Sequence, residues 1–173
     1  RSRNRLVSRT TGLVVEFIRG TPLLVQLYFI FYVLPDIGLR LPALAAGVLG
    51  MGLHYAAYFA EVYRGGIEAV PPTLRRAARS LGLTWRQDMT SVTLPLAARI
   101  ALPSWIGLAL GVMKDSALVY VVQVVELLKS AQILITRLQE PLFLLMICGL
   151  FYFLISFPIA RLGGYLERKW SND

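Results

Sequence analysis

The sequence has 173 residues, of which 56% are hydrophobic and 16% charged, and its mean hydropathy is +0.60. This composition is too apolar for an ordinary soluble domain, so a membrane is the expected environment. The net charge of +8 does not indicate nucleic-acid binding, because the basic residues interrupt long apolar runs and do not cover a polar surface.

Four apolar segments predict membrane-spanning helices. A span needs roughly 20 apolar residues, each rising about 1.5 Å along the helix axis. Residues 20–35 carry no charge, and this first span is expected to start further back, near Gly12. The predicted fold is therefore all-α and integral to the membrane, with four spans at about residues 12–35, 41–60, 100–113 and 141–160.

The uneven distribution of Lys and Arg between these spans predicts their orientation. Four arginines precede the first span, six lie between the second and third, and three basic residues follow the fourth. The other two connections carry Arg40, Lys129 and Arg137. Since positively charged connections stay in the cytoplasm, both ends of the chain are expected there. The basic stretch at residues 1–9 looks like a loop between two spans, which predicts a further helix before it.

Polar residues in and near the first two spans have structural and functional interpretations. Glu16 and Arg19 lie three residues apart and are expected to form an ion pair near the inner interface. Gln26 either hydrogen-bonds towards a central passage or packs between helices, and the sequence leaves both open. His54 stands beside two tyrosines without a second ligand at metal-binding spacing, so a hydrogen-bonded histidine is expected and a metal site is not.

The connection between the second and third spans, residues 61–99, begins with the pattern of a short helix. Residues 71–73, Pro-Pro-Thr, predict a helix start with Thr73 as the N-cap, and Gly82 lies where a C-cap glycine would end the helix. Apolar residues at 74, 77, 78 and 81 share one face of this helix, and three arginines at 75, 76 and 79 take the other.

A second short helix follows the predicted bend at Gly82. Thr84 and Gln87 have the spacing of a capping box, which restarts the chain as a helix towards Leu94-Pro95. Small residues at such a bend allow another surface to approach closely. The pattern alone also fits an amphipathic loop that lies on the lipid headgroups.

The spacing of this loop resembles the EAA loop of binding-protein-dependent importer permeases. Ala77-Ala78 is followed after three residues by Gly82 and, after nine more, by Val92; one further residue leads to Leu94-Pro95. The resemblance implies that a cytoplasmic coupling loop, residues 64–97, docks into an ATPase subunit. The implied coupling residues are Arg76, Ala77, Ala78, Gly82, Leu94 and Pro95.

One position of the motif departs from the family pattern, because Arg76 stands where the family carries its leading glutamate. With Thr73 as the N-cap, Arg76 is the third helical residue, where a glutamate would complete a capping box and suit the helix dipole. We therefore expect a weaker helix start, and an Arg76 side chain that faces an acidic group on the partner.

Further segments are similar to the polar amino acid branch of the same family, the histidine, glutamine and glutamate type. They lie at residues 16–26, 63–67, 114–116 and 165–168 and cover nearly the whole chain in order. The resemblance implies one permease domain, residues 1–173, with the transmembrane fold of a type I (MetI-like) ABC importer. Family members have five spans, so the first is expected to be absent from this sequence.

Lys114-Asp115-Ser116 places two opposite charges and a hydroxyl inside an apolar segment. A zwitterion needs such partners: Asp115 suits an ammonium group, and Lys114 suits a carboxylate. The same two residues are also able to pair with each other and hold a broken helix together. The candidate passage residues are Gln26, His54, Lys114, Asp115 and Ser116.

The sequence carries no sign of catalysis. It lacks a G-x-x-x-x-G-K-[ST] loop and an H-E-x-x-H motif, and it has one histidine and one cysteine. We expect no enzymatic activity, metal or cofactor in this chain; the resemblance implies that a separate ATPase binds ATP and Mg. It also implies a second permease, identical or different, an extracytoplasmic solute-binding protein, lipid, and an amino acid substrate. The location implied is the bacterial inner membrane. The alternative is a membrane scaffold or receptor subunit that does not transport.

Overall fold

The computed structural model describes residues 5–171, and within them the chain is helical with no β-strand. In chain order the elements are α1 (Arg5–Gly20), α2 (Leu23–Tyr28), a π-helical turn (Phe29–Val33), a 3-10 turn (Leu34–Ile37), α3 (Ala43–Ala69), α4 (Pro72–Ser80), α5 (Trp85–Asp88), a π-helical turn (Met89–Thr93), α6 (Leu94–Asp115), a 3-10 segment (Ser116–Val122), α7 (Leu127–Leu138) and α8 (Pro141–Ser171).

Within residues 5–171, three helical stretches are long and apolar enough to cross a membrane: Ala43–Ala69, Trp85–Val122 and Pro141–Trp170. A fourth is present if Leu6–Gly20 and Leu23–Ile37, which meet at an angle of 102°, form one broken span. The helices extend beyond the predicted apolar runs because a charged residue ends the apolar stretch without ending the backbone hydrogen bonding.

The first predicted span, residues 12–35, is not one straight helix, because the chain bends sharply before Leu23. Pro22 has an extended backbone with φ −62° and ψ 138°, and its ring cannot continue the hydrogen bonding of α1. The interpretation of residues 1–9 as a loop is corrected in part, since α1 already begins at Arg5; residues 1–4 lie outside the described part of the chain.

The buried core lies where α2 and α3 meet the 3-10 segment after α6. Its residues are Leu23, Leu27, Tyr55, Val119, Val121 and Val122. Small residues set the helix spacing around it: a Cβ on Gly50 would lie 2.7 Å from Leu27 Cδ2, and one on Gly66 would lie 2.9 Å from the Ala97 carbonyl oxygen. The core therefore holds the middle of α3 against the ends of α2 and α6.

Candidate functional site

Gln26 fastens the bend between α1 and α2. Its Nε2 donates hydrogen bonds to the Ile18 carbonyl at 2.7 Å and to the Thr21 hydroxyl and carbonyl at 2.8 and 3.2 Å. The Ile18 carbonyl belongs to the last turn of α1 and has no partner within the helix. Of the two interpretations that the sequence left open, the observed contacts fit a packing role for this amide.

The same amide connects the bend to α3. His54 Nδ1 lies 3.3 Å from Gln26 Oε1, and because the amide oxygen only accepts, Nδ1 carries the proton. His54 is buried, and its ring centre lies 5.5 Å from that of Tyr55 and 5.0 Å from that of Tyr58. The predicted hydrogen-bonded histidine is confirmed, and residues 5–171 contain no cluster of three or more potential metal ligands.

The predicted ion pair between Glu16 and Arg19 is wrong within the described structure. Arg19 instead approaches Glu61 of α3, at 3.9 Å between Nη1 and Oε1, and its guanidinium lies 5.3 Å from the centre of the Tyr58 ring. Glu61 also pairs with Arg64 on its own helix. Glu16 lines the groove of about 590 Å³ between α1 and α3 that these charges share. The packing of α1 across α3 therefore determines that Arg19 pairs with Glu61 and not with Glu16.

Asp115 is held by a tyrosine from another helix. Tyr55 is buried in the core, and its hydroxyl donates to Asp115 Oδ2 at 2.8 Å. Asp115 is the last residue of α6 and half-buried. The pair joins α3 to α6 at the edge of the core. Sequence reasoning missed this contact, because 60 positions separate the two residues.

The residues beside Asp115 do not share its contact. Lys114 is exposed, and within the part of the chain that the structure describes no ion pair joins it to Asp115, so the alternative in which these two residues pair with each other is not observed. The Ser116 hydroxyl donates to the Met113 carbonyl at 2.6 Å and caps the end of α6. Three of the five predicted passage residues therefore take part in contacts between helices. Gln26 contacts His54, and Asp115 is bonded to Tyr55, the residue that follows His54.

The first helix of the coupling loop starts earlier than predicted. α4 begins at Pro72, with Pro71 before it and no side-chain cap, so Thr73 is the second helical residue and not the N-cap. Proline suits the first position because its φ is preset and no N–H is needed there. Arg76 is consequently the fifth helical residue, and the expectation that it occupies a capping-box position is wrong.

The bend after α4 confirms the prediction that Gly82 ends this helix as its C-cap glycine. Its φ is +81°, a conformation in which a side chain is strained. The Gly82 and Leu83 amides donate to the carbonyls of Arg79 and Ala78 at 3.0 and 3.2 Å, which closes the helix in a Schellman motif. Ala78 is buried beneath the bend, whereas Ala77 is exposed.

The restart at Thr84 is also confirmed, although the helix that follows is longer than expected. The Thr84 amide donates to Gln87 Oε1 at 2.9 Å, and the Gln87 amide donates to Thr84 Oγ1 at 3.4 Å. Helical structure then continues through Leu94-Pro95 into the third span, as far as Val122. A π-helical turn just before Leu94 accommodates Pro95, which offers no N–H to the preceding turn. One helical rod thus joins the loop to the Asp115 end of α6.

A buried charge that the sequence analysis did not single out joins α4 to this rod. Asp88 is 1% exposed; its Oδ1 accepts from the Thr93 hydroxyl at 3.1 Å, and its Oδ2 lies 3.8 Å from Arg75 Nε. Neither Oδ2 nor Nε has a hydrogen-bond partner in the structure as described. Beside this pair, Leu81 and Trp85 are 80% and 65% exposed. The loop therefore combines a fixed frame with an exposed apolar tip.

Comparison with known proteins assigns this arrangement of spans and loop to a family. The family described as binding-protein-dependent transport system inner membrane component matches residues 1–172. The chain belongs to this family. It is therefore a multi-pass membrane permease subunit with no ATPase centre of its own, and the transport interpretation is favoured over that of a non-transporting scaffold.

Curated relatives and a solved structure agree with this assignment. The chain is 39% identical over 160 residues to the probable amino-acid ABC transporter permease y4tG of Sinorhizobium fredii, covering 92% of this permease and 69% of the relative. It is 35% identical to the probable amino-acid ABC transporter permease YckA of Bacillus subtilis, covering 92% and 71%. A crystal structure of an amino acid ABC transporter with histidines matches with a TM-score of 0.91 and 34% identity, over 97% of this permease and 78% of that chain. The predicted all-α type I importer fold is confirmed.

Proposed function

We propose that this permease, together with a second permease subunit, forms the passage of an ATP-driven importer for polar amino acids or related zwitterions. The observation that carries the proposal is the Tyr55–Asp115 hydrogen bond, which holds a carboxylate at the edge of an apolar core. A charged group inside a membrane protein is costly and usually marks a substrate or ion path. The relatives named as amino-acid transporters support the substrate class.

Asp115 is the group that would meet the substrate ammonium. Its Oδ2 accepts one hydrogen bond from Tyr55, and a carboxylate has further lone pairs to offer. An ammonium at this point would form a charge-assisted hydrogen bond, which is stronger than a neutral one. Lys114 lies at the preceding position and is exposed, so it is available to a substrate carboxylate. His54 and Gln26 hold α3 and the bend in place behind this pair.

The loop at residues 64–97 is proposed to dock into the ATPase, which binds ATP and Mg. Both ends of the chain would then lie in the cytoplasm, and the solute-binding protein would deliver substrate on the opposite side. The exposed Leu81 and Trp85 side chains suit a protein partner, since apolar and aromatic anchors dominate interface energies. The rod from Trp85 to Val122 joins this tip to Asp115, so that movement of the loop would reposition α6 during alternating access.

Uptake by Asp115→Asn permease tests the passage. The full-length permease would be expressed with its ATPase and binding protein, and the uptake of labelled neutral, cationic and anionic amino acids into cells would be measured. We expect uptake of cationic and zwitterionic substrates to fall about tenfold or more, because a charged hydrogen bond is lost, while membrane insertion persists. Asp36→Asn, at an exposed carboxylate before α3, is the matched control and should transport normally.

A double variant separates substrate binding from charge compensation. If Asp115 serves only to neutralise Lys114, then Asp115→Asn combined with Lys114→Met restores uptake, since no unpaired charge remains. We expect no restoration, because Asp115 is bonded to Tyr55 and Lys114 is exposed. Normal uptake by Asp115→Asn alone, or full rescue by the double variant, would remove Asp115 from the passage.

A further inference from the structure

A groove of about 310 Å³ runs along α4 and is dominated by arginine. Glu68 also lines it, but its carboxylate is paired with Arg64 one turn earlier on α3. The full lining is Glu68, Val70, Pro72, Arg75, Arg76 and Arg79. The groove is therefore an electropositive concavity on the loop that carries the coupling motif.

The three arginines are not equivalent. Arg75 is half-buried and turns its Nε towards the buried Asp88, which fixes it in the floor of the groove. Arg76 and Arg79 are exposed, and neither forms an ion pair with any residue in the described range 5–171. Two guanidinium groups without ion-pair partners, three residues apart on one helix, therefore face outward. The third, that of Arg75, lies beneath them and is offset by the charge of Asp88.

The position of α4 favours a protein partner over lipid headgroups. The apolar run of α3 ends at Ala60, and the helix continues to Ala69, which adds nine residues or about 14 Å along its axis. The headgroup layer on each side of a bilayer is only about 5–8 Å deep. Together with the exposed Leu81 and Trp85 at the end of the helix, this makes a basic rim around an apolar tip, an arrangement typical of protein interfaces.

We propose that this groove receives an acidic segment of the ATPase subunit, with carboxylates bound by Arg76 and Arg79 and with the Arg75–Asp88 pair holding the groove open. Planar guanidinium groups bind carboxylates with two parallel hydrogen bonds, so the site selects Asp or Glu side chains. The proposal rests on the docking of residues 64–97 to the ATPase and adds the chemistry of the partner surface.

Binding of the purified ATPase to the full-length permease in nanodiscs of phosphatidylcholine tests this. Charge reversal at both free positions, Arg76→Glu with Arg79→Glu, should weaken binding about tenfold or more at 50 mM salt, and the difference should shrink at 300 mM because screening weakens the repulsion. Arg9→Glu with Arg168→Glu, the same charge change at two exposed arginines outside the groove and outside residues 64–97, is the matched control and should change the affinity less than about threefold.

Each outcome decides the question. Unchanged or tighter ATPase binding by the double variant would overturn the proposal, and so would an effect that appears only in nanodiscs containing phosphatidylglycerol, since the groove would then bind headgroups. A Gly82→Val permease distinguishes failure of the acidic-segment proposal from failure of the proposal that the loop docks into the ATPase. If Gly82→Val weakens binding and the charge reversal does not, the loop docks without an acidic partner; if neither variant changes binding, the docking proposal also fails.

Discussion

Individual polar side chains in the spans of this permease work through partners on other helices. A hydrogen-bonding group buried away from water costs several kcal/mol when it is left without a partner. Gln26 avoids this cost by satisfying the end of α1, and its oxygen accepts from His54. Tyr55 and Asp115 satisfy one another in the same way. The Gln26–His54 contact therefore fixes α3 relative to the bend between α1 and α2, and the Tyr55–Asp115 bond fixes it relative to α6.

Replacement of the amide at the bend should loosen it. Gln26→Met keeps the length of the side chain and removes the hydrogen bonds to Ile18 and Thr21, so we expect a loss of about 1 kcal/mol in stability because half-buried acceptors each lose one donor. Thermal unfolding of the detergent-solubilised permease measures this loss. Gln132→Met on α7 is the control, since that amide makes no side-chain hydrogen bond within the described residues, and it should change stability by less than about 0.5 kcal/mol. Equal melting temperatures for the two variants would contradict a stabilising role for the Gln26 hydrogen bonds.

At the scale of elements, the coupling loop is two helices held at a set angle by backbone chemistry. The Schellman motif ends α4, the Thr84 capping box starts α5, and the Arg75–Asp88 contact joins the two. Since α5 continues into the third span, we expect the angle at Gly82 to determine how a displacement of α4 is passed to that span. Coupling should therefore depend on that one glycine more than on the composition of the loop.

A side chain at Gly82 should uncouple transport from ATP hydrolysis. Valine at a φ of +81° is strained by roughly 1–2 kcal/mol and misdirects the bend. We expect Gly82→Val permease to insert normally, to transport poorly and to lose stimulation of the ATPase by the loaded binding protein. Gly149→Val is the control, because Gly149 is helical, lies outside residues 64–97, and an added Cβ meets nothing within 4 Å. Normal uptake and normal stimulation with Gly82→Val would remove the bend from the mechanism.

At the scale of the whole molecule, the charges and the helices together predict which side of the membrane each connection occupies. The basic connection between α3 and α6 is expected in the cytoplasm, and the turn around Ile37 on the other side. These two regions lie at opposite ends of α3. This orientation is the one that the proposed docking of residues 64–97 to the ATPase requires.

Cysteine labelling checks this orientation. The chain has a single cysteine, the buried Cys148, which Cys148→Ser would remove without leaving a second reactive thiol. In that background, Ile37→Cys, at a side chain that is 72% exposed, should react with a membrane-impermeant maleimide in intact spheroplasts. Thr73→Cys should react only after the membrane is opened. Labelling of Thr73→Cys in closed spheroplasts would show that the orientation is opposite to the one predicted.

Features set by a few neighbouring residues were determined by the sequence alone. Apolar runs predicted the spans, Gly82 predicted a left-handed C-cap, and Thr84 with Gln87 predicted a capping box, because each depends on backbone geometry within one turn. The start of α4 is the local exception. Thr73 and Pro72 compete there, and proline at the first helical position excluded the threonine cap.

Partners far apart in the chain were decided only by the tertiary structure. Arg19 pairs with Glu61 and not with the nearby Glu16, Tyr55 bonds to Asp115 across 60 positions, and Asp88 faces Arg75 from another helix. These contacts follow from where the helices cross, and the crossing points depend on close approaches such as that of Gly66 to Ala97. A sequence pattern reports which face of a helix is apolar or charged, but the side chain that meets that face is chosen by the packing of the whole bundle.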